Sequence, residues 1–413
     1  MLEQPAFGQR LRRLRVERGL TQGALAGEEL STGYLSRLES GARQPTERAV
    51  RLLADRLGID PARFAEPEAS PLAETLAVAT GLGPDEAGPL LAEALADAGG
   101  QDPLTRWPAL YQVAEWRRRR NEHAQERVHL EELVALSDQV GIPELRIRAL
   151  TQLARCRRSL GEVPAAVDTA LAAYRLATAE AAAARTAPPL SAGVPTTATA
   201  LLALVSALAE AGRLPEARRH ADELVDLVAG RSDTLWAEAM WTVAAVRSRQ
   251  GEFGAAKELL DQALDRYDGR DNFTLWLRLR AVAADLHLVM TPPDPAAALR
   301  YVETVETYLA FAGTPALRQA LTVLRARIAF QEDRTEEARG LLAGLDGAEL
   351  FMPYRQQVEL EVLRNQLLLL DGRSEEGMAG LRALAQHAQD GANLDLAASI
   401  WRLAAEALAR PRD

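Results

Sequence analysis

Two runs decide the fold of the first part of the chain: Gly19-Leu20-Thr21-Gln22-Gly23-Ala24-Leu25-Ala26 and Tyr34-Leu35-Ser36-Arg37-Leu38-Glu39-Ser40-Gly41. The second run carries leucines three positions apart, which is the spacing of one face of a helix. Thr21 and Ser31 are residue types that cap helix N-termini, and each stands where a helix would begin. The sequence therefore predicts two short helices joined by a turn over residues 27–30.

The flanking sequence supplies the other helices of a small domain. Leu11 and Leu14 give a preceding helix one apolar stripe, and Gly19 ends it. A fourth helix is predicted from Pro45-Thr46, because apolar residues follow at helical spacing. Asp60-Pro61 is predicted to start a fifth helix, since aspartate favours the N-cap position and proline the first helical position.

The second of the two short helices has an exposed face of small polar residues with one arginine. Such a helix is narrow enough to enter the major groove of DNA. We predict that Arg37 contacts a guanine edge and that Thr32, Gly33 and Ser36 lie beside it. Gln22, Tyr34 and Arg43 are predicted to contact phosphates, Gln22 because it stands at a helix N-terminus that attracts anions.

Four motifs in this order carry a family resemblance: Leu-Arg-x-Leu-Arg at residues 11–15, Gly-Leu-Thr-Gln-x-x-Leu-Ala, Tyr-Leu-Ser-x-Leu-Glu-x-Gly, and Arg-x-Pro at residues 43–45. Together they resemble the Xre, or lambda-repressor-like, helix-turn-helix domain over residues 5–64. The resemblance implies a structural ion pair between Arg15 and Glu39, which fixes the angle of the recognition helix. Leu30 departs from the family pattern, in which glycine is common in the turn.

Composition sets the class of the remaining chain. Of 413 residues, 48% are hydrophobic and 26% are charged. No stretch alternates like a β-strand, so an all-α fold is predicted. The single cysteine, Cys156, excludes an intramolecular disulfide framework and favours a reducing compartment. We find neither a signal peptide nor an apolar run long enough to span a membrane, which predicts a soluble cytoplasmic protein with no membrane partner.

Charge divides the chain unevenly. Residues 1–63 hold 11 arginines against 8 acidic residues, a net charge of +3, whereas the remaining 350 residues carry a net charge of −13. The first domain alone is therefore suited to approach a polyanion. Residues 65–71 form a Pro-rich acidic linker after domain 1–64.

Residues 72–142 are predicted to form a helical connector and the first helical hairpins. The run Arg117–Arg120 lies within this segment and permits two interpretations. It is either a second nucleic-acid contact, or else a solvated helix face or an ion-pair partner for Glu131-Glu132. An isolated charge run on a helix favours the latter interpretation.

Residues 143–413 contain an internal repeat. Its signature is a glycine followed by a polar residue and, four or five positions after the glycine, a small alanine. Copies stand at 160–166, 211–217 and 250–256, with weaker ones at 292–297, 332–338 and 371–377. After a first interval stretched by residues 181–195, the copies recur with a period of about 40 residues, as in helical repeat arrays. Each glycine is predicted to turn the chain between a helix of about 14–18 residues before it and one of about 12–15 residues after it.

This repeat resembles the tetratricopeptide repeat (TPR), although its period exceeds the usual value of about 34. Such hairpins bury their apolar faces by stacking, which predicts a right-handed α-solenoid with a concave inner surface. The predicted fold is thus a five-helix helix-turn-helix domain followed by a TPR-like solenoid.

No pattern in the sequence indicates catalysis, a metal site or a cofactor. His123 and His129 are six residues apart, which does not place two imidazoles on one helix face, and no glutamate stands between them as in zinc proteases. The glycine pairs Gly81/Gly83 and Gly99/Gly100 follow predicted helices and lack the lysine of a phosphate-binding loop.

The order of domains resembles peptide-pheromone-sensing regulators of Gram-positive bacteria and actinobacterial regulators of secondary metabolism. The resemblance implies a homodimer, held mainly by the repeat domain, that presents two recognition helices to a two-fold double-stranded DNA operator. It also implies an effector in the concave groove. A protein partner, a small molecule or no effector stay open as alternatives, as do an interaction scaffold and an enzyme fused to a DNA-binding module.

Arginine beside tryptophan favours an anionic or peptide effector between about residues 195 and 330. The predicted effector-binding residues are Trp241, Arg247, Trp276, Arg278, Arg280, Gln319 and Arg325.

Overall fold

The computed structural model describes residues 4–64, 71–97, 102–184 and 194–409. All regular structure within these ranges is helical, as predicted, and the chain divides into two compact units, residues 1–74 and 75–413. Most of the predicted 65–71 linker lies outside the described residues. No helix in the described part of the chain is long and apolar enough to cross a membrane.

The first unit begins with four α-helices: α1 Ala6–Glu17, α2 Gln22–Ala26, α3 Thr32–Glu39 and α4 Glu47–Leu57. The predicted fifth helix is instead a four-residue 3-10 helix, Pro61–Phe64. The Asp60 side chain accepts a hydrogen bond from the Ala62 backbone N–H at 2.8 Å, and the Phe64 ring lies 5.1 Å from the Phe7 ring. This short turn therefore packs a buried aromatic side chain against the start of α1.

Close approach of α1 and α3 depends on a glycine. A Cβ atom placed on Gly8 would lie 2.1 Å from the Leu38 carbonyl oxygen, so no larger residue fits there. The apolar side chains that fill the core of this unit include Phe7, Leu11, Leu14, Leu25, Leu35, Leu38, Leu53 and Leu57. Leu11, Leu14, Leu35 and Leu38 are buried, as the helical periodicity predicted.

Seventeen further α-helices follow: α5 Pro71–Ala79, α6 Pro84–Asp97, α7 Pro103–Arg119, α8 His123–Val140, α9 Pro143–Ser159, α10 Val163–Ala184, α11 Val194–Glu210, α12 Leu214–Leu227, α13 Thr234–Arg249, α14 Phe253–Arg266, α15 Phe273–Val289, α16 Pro295–Ala312, α17 Pro315–Gln331, α18 Thr335–Ala343, α19 Tyr354–Leu370, α20 Ser374–Asp390 and α21 Leu394–Ala409. From α7 to α20, consecutive helices pair as antiparallel hairpins. We call the first helix of each hairpin A and the second B.

One turn geometry recurs through the array. At seven places an N–H donates to the carbonyl five residues earlier, at 2.8–3.0 Å, and the residue before that N–H has a positive φ. Glycine occupies this position at 161, 212, 251 and 372, whereas Asn121, Asp333 and Ala392 adopt it without being glycine. The repeat therefore starts as early as α7, before the boundary at residue 143 that the glycine signature indicated.

Helix lengths follow the prediction in the A helices and in α12 and α14, which have 14 residues each, and depart from it in the other B helices. The A helices have 16 or 17 residues, but α10 has 22, α16 has 18, α20 has 17 and α18 has 9. The predicted stretched segment, residues 181–195, lies partly outside the described residues.

Adjacent A helices from α9 to α19 pack directly on one another, which makes them the inner layer of the array. The array curves until its last helix, α21, contacts α11. The Asn393 side-chain amide donates to the Gly161 carbonyl at 3.3 Å. Because Gly161 and Gly212 lack side chains, Tyr354 and Leu394 fit against these two turns.

A buried carboxylate, Glu210, lies where the two ends of the array meet. Arg355 donates to it at 2.8 Å, Arg249 at 3.0 Å, and Arg158 lies 3.7 Å away. Burial by itself raises the pKa of Glu210, but the three guanidinium groups outweigh that effect and hold it well below its usual range. Glu210 is therefore a charged bridge between α9, α11, α13 and α19.

The arginine run at residues 117–120 forms ion pairs, though not with the predicted partners. Arg117 and Arg120 both contact Glu122, and Arg118 contacts Glu115 at 2.7 Å. The predicted partners, Glu131-Glu132, instead contact Arg157 and Arg106. The prediction of that pairing was wrong because α8 turns these carboxylates toward neighbouring positions on α7 and α9.

Candidate DNA-binding surface and inner groove

The two short helices α2 and α3 have side-chain caps at both N-termini. Thr21 Oγ1 accepts from the Ala24 N–H, and Ser31 Oγ accepts from the Tyr34 N–H, each at 3.1 Å. Both hydrogen bonds satisfy backbone donors that a short helix leaves free. The helix-turn-helix arrangement predicted from the sequence is therefore locally stabilised.

An arginine that the sequence analysis missed holds the turn between them. Arg56 on α4 donates to the Leu25 carbonyl at 3.0 Å and pairs with Glu29 at 2.8 Å. A Cβ atom on Gly27 would lie 2.7 Å from the Arg56 guanidinium, so the glycine leaves room for this contact. Spacing along the chain gives no signal for a contact between residues so far apart in sequence.

The Arg15 and Glu39 side chains form a bidentate ion pair between α1 and α3, as the family resemblance implied. Arg15 Nε lies 2.6 Å from Glu39 Oε1, and Arg15 Nη2 lies 3.0 Å from Oε2. Burial raises the pKa of Glu39, but hydrogen bonds from Arg15 and Gln22 more than offset it, and the net pKa is below its ordinary value.

Gln22, a predicted phosphate contact, also has a partner within the protein. Its side-chain amide donates to Glu39 at 2.8 Å and so belongs to the internal ion-pair network. The contact of Gln22 with a phosphate stays a prediction, because its side-chain amide carries a second N–H donor.

The other predicted DNA contacts lie together on the exposed side of α3. Thr32, Gly33, Ser36 and Arg37 are exposed, and a Cβ atom on Gly33 would meet open space. Tyr34 is half-buried, and the Arg43 guanidinium lies 5.0 Å from its ring. This surface therefore combines hydroxyl groups, one exposed arginine and a tyrosine-arginine pair.

Several predicted effector residues already have partners within the repeat unit. Arg247 pairs with Asp222 at 2.6 Å and with Glu252 at 3.2 Å, and Arg325 pairs with Glu306. These side chains hold neighbouring helices together. Because their guanidinium groups are already paired, this geometry does not favour ligand binding by Arg247 or Arg325.

Two further members of that predicted set are also engaged. The Gln319 amide bonds the backbone at Glu349 and Phe351, each at 2.8 Å. The Arg280 guanidinium lies 3.2 Å from the centre of the Trp276 ring, and burial lowers the pKa of Arg280 to about 10.

Arg278 differs from these residues because its guanidinium faces other arginines. It lies 5.1 Å from the Trp241 ring, and no carboxylate within the described ranges forms an ion pair with it. Burial lowers the pKa of Arg278, Glu238 raises it, and Arg118, Arg158 and Arg155 lower it further. The charges of Arg118 on α7 and of Arg155 and Arg158 on α9 thus act on Arg278 of α15.

Arg155 and Arg158 were not predicted as effector residues. Arg155 Nη2 is buried and has no hydrogen-bond partner among the described residues, and Glu238 lies 3.7 Å from it. A cavity of about 370 Å³ lies beside Arg155, between the N-terminal parts of α11 and α13. Of the four arginines only Arg155 lines this cavity. We call the inner face that carries Arg118, Arg155, Arg158 and Arg278 the inner groove.

One buried cluster contains residue types that bind metals. The ligand atoms of His123, Glu126 and Cys156 lie within 4.8 Å of one another. His123 Nδ1 is 2.7 Å from Glu126, and Cys156 Sγ donates to the His123 carbonyl at 3.2 Å. Burial raises the pKa of the Cys156 thiol, so it stays protonated. The polar groups of His123, Glu126 and Cys156 thus have hydrogen-bond partners within the protein, which favours a structural role for the cluster.

Comparison with known proteins gives a family match within the first unit. A family model described as a helix-turn-helix domain matches residues 6–66. No curated protein matches the chain.

Solved structures resemble the chain over most of its length. A Rap protein complexed with competence and sporulation factor is 11% identical, with a TM-score of 0.53, and the match covers 88% of this chain and 92% of that one. The apo form of the quorum sensor NprR from B. thuringiensis is 12% identical, with coverages of 88% and 94% and a TM-score of 0.47.

Bacillus thuringiensis PlcR, solved with the peptide PapR7 and DNA, is 14% identical, with coverages of 76% and 98% and a TM-score of 0.33. The chain is thus an all-helical protein in which a helix-turn-helix domain precedes a TPR-like array of hairpins.

Proposed function

We propose that this chain is a cytoplasmic, sequence-specific transcription regulator that binds a two-fold operator as a homodimer. The exposed face of α3 carries the proposal, because its short polar side chains and Arg37 project from a helix that capped turns and the Arg15–Glu39 pair hold in place. Small side chains let a helix approach base edges closely, and arginine forms paired hydrogen bonds to guanine.

The Arg37→Ala and Arg43→Ala variants test the assignment of base and phosphate contacts. Arg37→Ala should cost about 1–3 kcal/mol in binding and relax the preference at one base pair of each half-site. Arg43→Ala should weaken all sequences alike and reduce the salt dependence of binding. Operator selection followed by gel shifts at several salt concentrations measures both effects. An Arg37→Ala protein with unchanged sequence preference contradicts the assignment.

A homodimer is proposed because one helix-turn-helix contacts too little DNA for specific binding, and such domains occupy half-sites about one helical turn apart. We expect the chain to sediment as a dimer and expect a fragment without residues 1–70 to do the same. The 1–74 and 75–413 units are separately compact, which supports the use of that fragment. A monomeric repeat fragment refutes the proposal that the array dimerises.

The effector is proposed to be an anionic molecule or peptide bound in the inner groove. Arg155 Nη2 is buried without a hydrogen-bond partner among the described residues, and Arg278 forms no ion pair with any of them. Arg118, Arg155 and Arg158 each have one carboxylate nearby, namely Glu115, Glu238 and Glu210, so Arg278 carries the unbalanced charge. A carboxylate or other anion would offset this local positive charge. The predicted site therefore shifts toward α7 and α9, and Arg247, Gln319 and Arg325 have structural contacts instead.

A charge-reversal variant, Arg278→Glu, tests this site. We expect wild-type operator affinity to change when extract or secreted peptides from the producing cell are added, because a ligand that prefers one arrangement of the dimer shifts its population. Arg278→Glu should abolish that change, whereas Arg382→Glu, at an exposed position on α20, should respond like the wild type. Equal operator binding under all conditions excludes an effector in the groove.

A further inference from the structure

A second cleft lies away from the inner groove, against helices α14 and α16. These are the B helices of two consecutive hairpins, and the cleft has a volume of about 450 Å³. Lys257 of α14 lines one side, His287 near the end of α15 lines the floor, and Asp294, Arg300 and Tyr301 line the side formed by α16. This volume is within the range of sites for small metabolites.

His287 supplies the observation that points to a ligand. Its side chain is 9% exposed, and Nδ1 has no hydrogen-bond partner among the described residues. The nearest charged group, Asp294 Oδ2, lies 3.9 Å away, which is beyond hydrogen-bond distance. A buried polar atom without a partner costs free energy, so a polar ligand group that reaches Nδ1 would remove that cost.

Cationic side chains stand at the mouth of the cleft. Arg300 is exposed and makes no ion pair within the described part of the chain. Lys257 donates to Asp261 at 2.6 Å, which leaves two ammonium hydrogens for another acceptor. Lys257 is the sole lysine among the 48 basic residues of the chain. Guanidinium and ammonium groups at one opening favour a phosphate group.

The other end of the cleft favours hydroxyl groups over a second anion. Asp294 Oδ1 caps α16 by accepting from the Ala297 N–H at 2.9 Å, and Oδ2 remains as an acceptor. Burial lowers the pKa of His287, so the imidazole is neutral at neutral pH and Nδ1 serves as an uncharged hydrogen-bonding partner. A carboxylate and a neutral imidazole side by side suit a ligand hydroxyl, and a phosphate there would be repelled by Asp294.

We propose that this cleft binds a small phosphate ester that carries hydroxyl groups, of the sugar-phosphate class. Its phosphate lies against Arg300 and Lys257, and its hydroxyl groups reach His287 and Asp294. The site is separate from the inner groove, because that groove is lined by A helices, and it gives the array a second ligand of different chemistry.

Isothermal titration of the full chain tests this proposal with named probes: glucose 6-phosphate, ribose 5-phosphate, glycerol 3-phosphate, glucose and inorganic phosphate. We expect at least one ester to bind, and to bind at least tenfold more tightly than either glucose or inorganic phosphate. Arg300→Ala should weaken that ester at least tenfold. Arg382→Ala, an exposed arginine on another helix, should leave its affinity unchanged.

A second variant, His287→Phe, separates the two halves of the site. It should keep weak phosphate binding and lose the preference for the ester over inorganic phosphate. Should it fail to fold, Arg300→Ala still decides the matter, because Arg300 is exposed. No binding by any of the three esters, or equal binding by the Arg300→Ala and Arg382→Ala proteins, overturns the proposal.

Discussion

Replacement of Glu210 by alanine is expected to lower the free energy of unfolding of the repeat unit by about 3–5 kcal/mol, because it leaves buried arginines without their shared carboxylate. Arg355 and Arg249 lie within 3.0 Å of Glu210, and Arg158 lies 3.7 Å from it. Glu210→Gln keeps the shape of the side chain but not its charge, and should be destabilised nearly as much. Urea denaturation followed by circular dichroism measures both.

The matched control is Glu406→Ala, which removes an exposed carboxylate that pairs with Arg402 within α21. Exposed pairs of this kind contribute little, so its unfolding free energy should change by less than about 0.5 kcal/mol. Equal denaturation midpoints for Glu210→Ala and Glu406→Ala would show that the Glu210 cluster does not hold the ends of the array together.

The same cluster predicts a pH dependence of stability. The pKa of Glu210 is lower in the folded chain than in the unfolded chain. Its contribution is therefore present above the unfolded pKa, about 4.3, and is lost as the pH falls below it. The wild-type midpoint should fall more steeply than that of Glu210→Gln between about pH 5 and pH 3.

Replacement of Arg15 by alanine is expected to destabilise the helix-turn-helix unit by about 3 kcal/mol and to abolish operator binding. The change leaves Glu39, whose exposed fraction is 7%, buried with Gln22 as its remaining polar partner. Since Arg15 also donates to the Leu20 carbonyl at 2.9 Å, the turn after α1 loses a second contact. Thermal unfolding of the 1–74 unit in the full chain, with a gel shift at low temperature, measures both effects.

Two variants sharpen this test. Arg15→Lys should recover part of the stability, because an ammonium group keeps the charge but cannot reproduce the paired hydrogen bonds of a guanidinium. Arg51→Ala removes an exposed pair with Glu47 on α4 and should leave stability within about 0.5 kcal/mol of wild type. An Arg15→Ala protein that binds its operator as the wild type does would exclude the proposed role of the pair.

Local patterns in the sequence determined the elements and the exposed face of α3. The Thr21 and Ser31 caps and the buried Leu35 and Leu38 follow from interactions within three or four residues, which a sequence displays directly. The repeat glycines located four of the hairpin turns, because each turn needs one residue with a positive φ and glycine adopts that conformation readily. Asn121 escaped notice because it adopts the same conformation without being glycine, whereas the copy at 332–338 was recognised although Asp333 replaces the glycine.

Tertiary structure alone decided which polar side chains meet. Gln22 turned inward to Glu39, Arg56 reached the α2–α3 turn, and Arg355 met Glu210 across 145 positions of sequence. Such contacts depend on the curvature of the whole array, which accumulates from small rotations between hairpins and leaves no mark in any single repeat. For the same reason the sequence indicated an arginine-lined groove, but the packing of α7, α9 and α15 selected the arginines that line it.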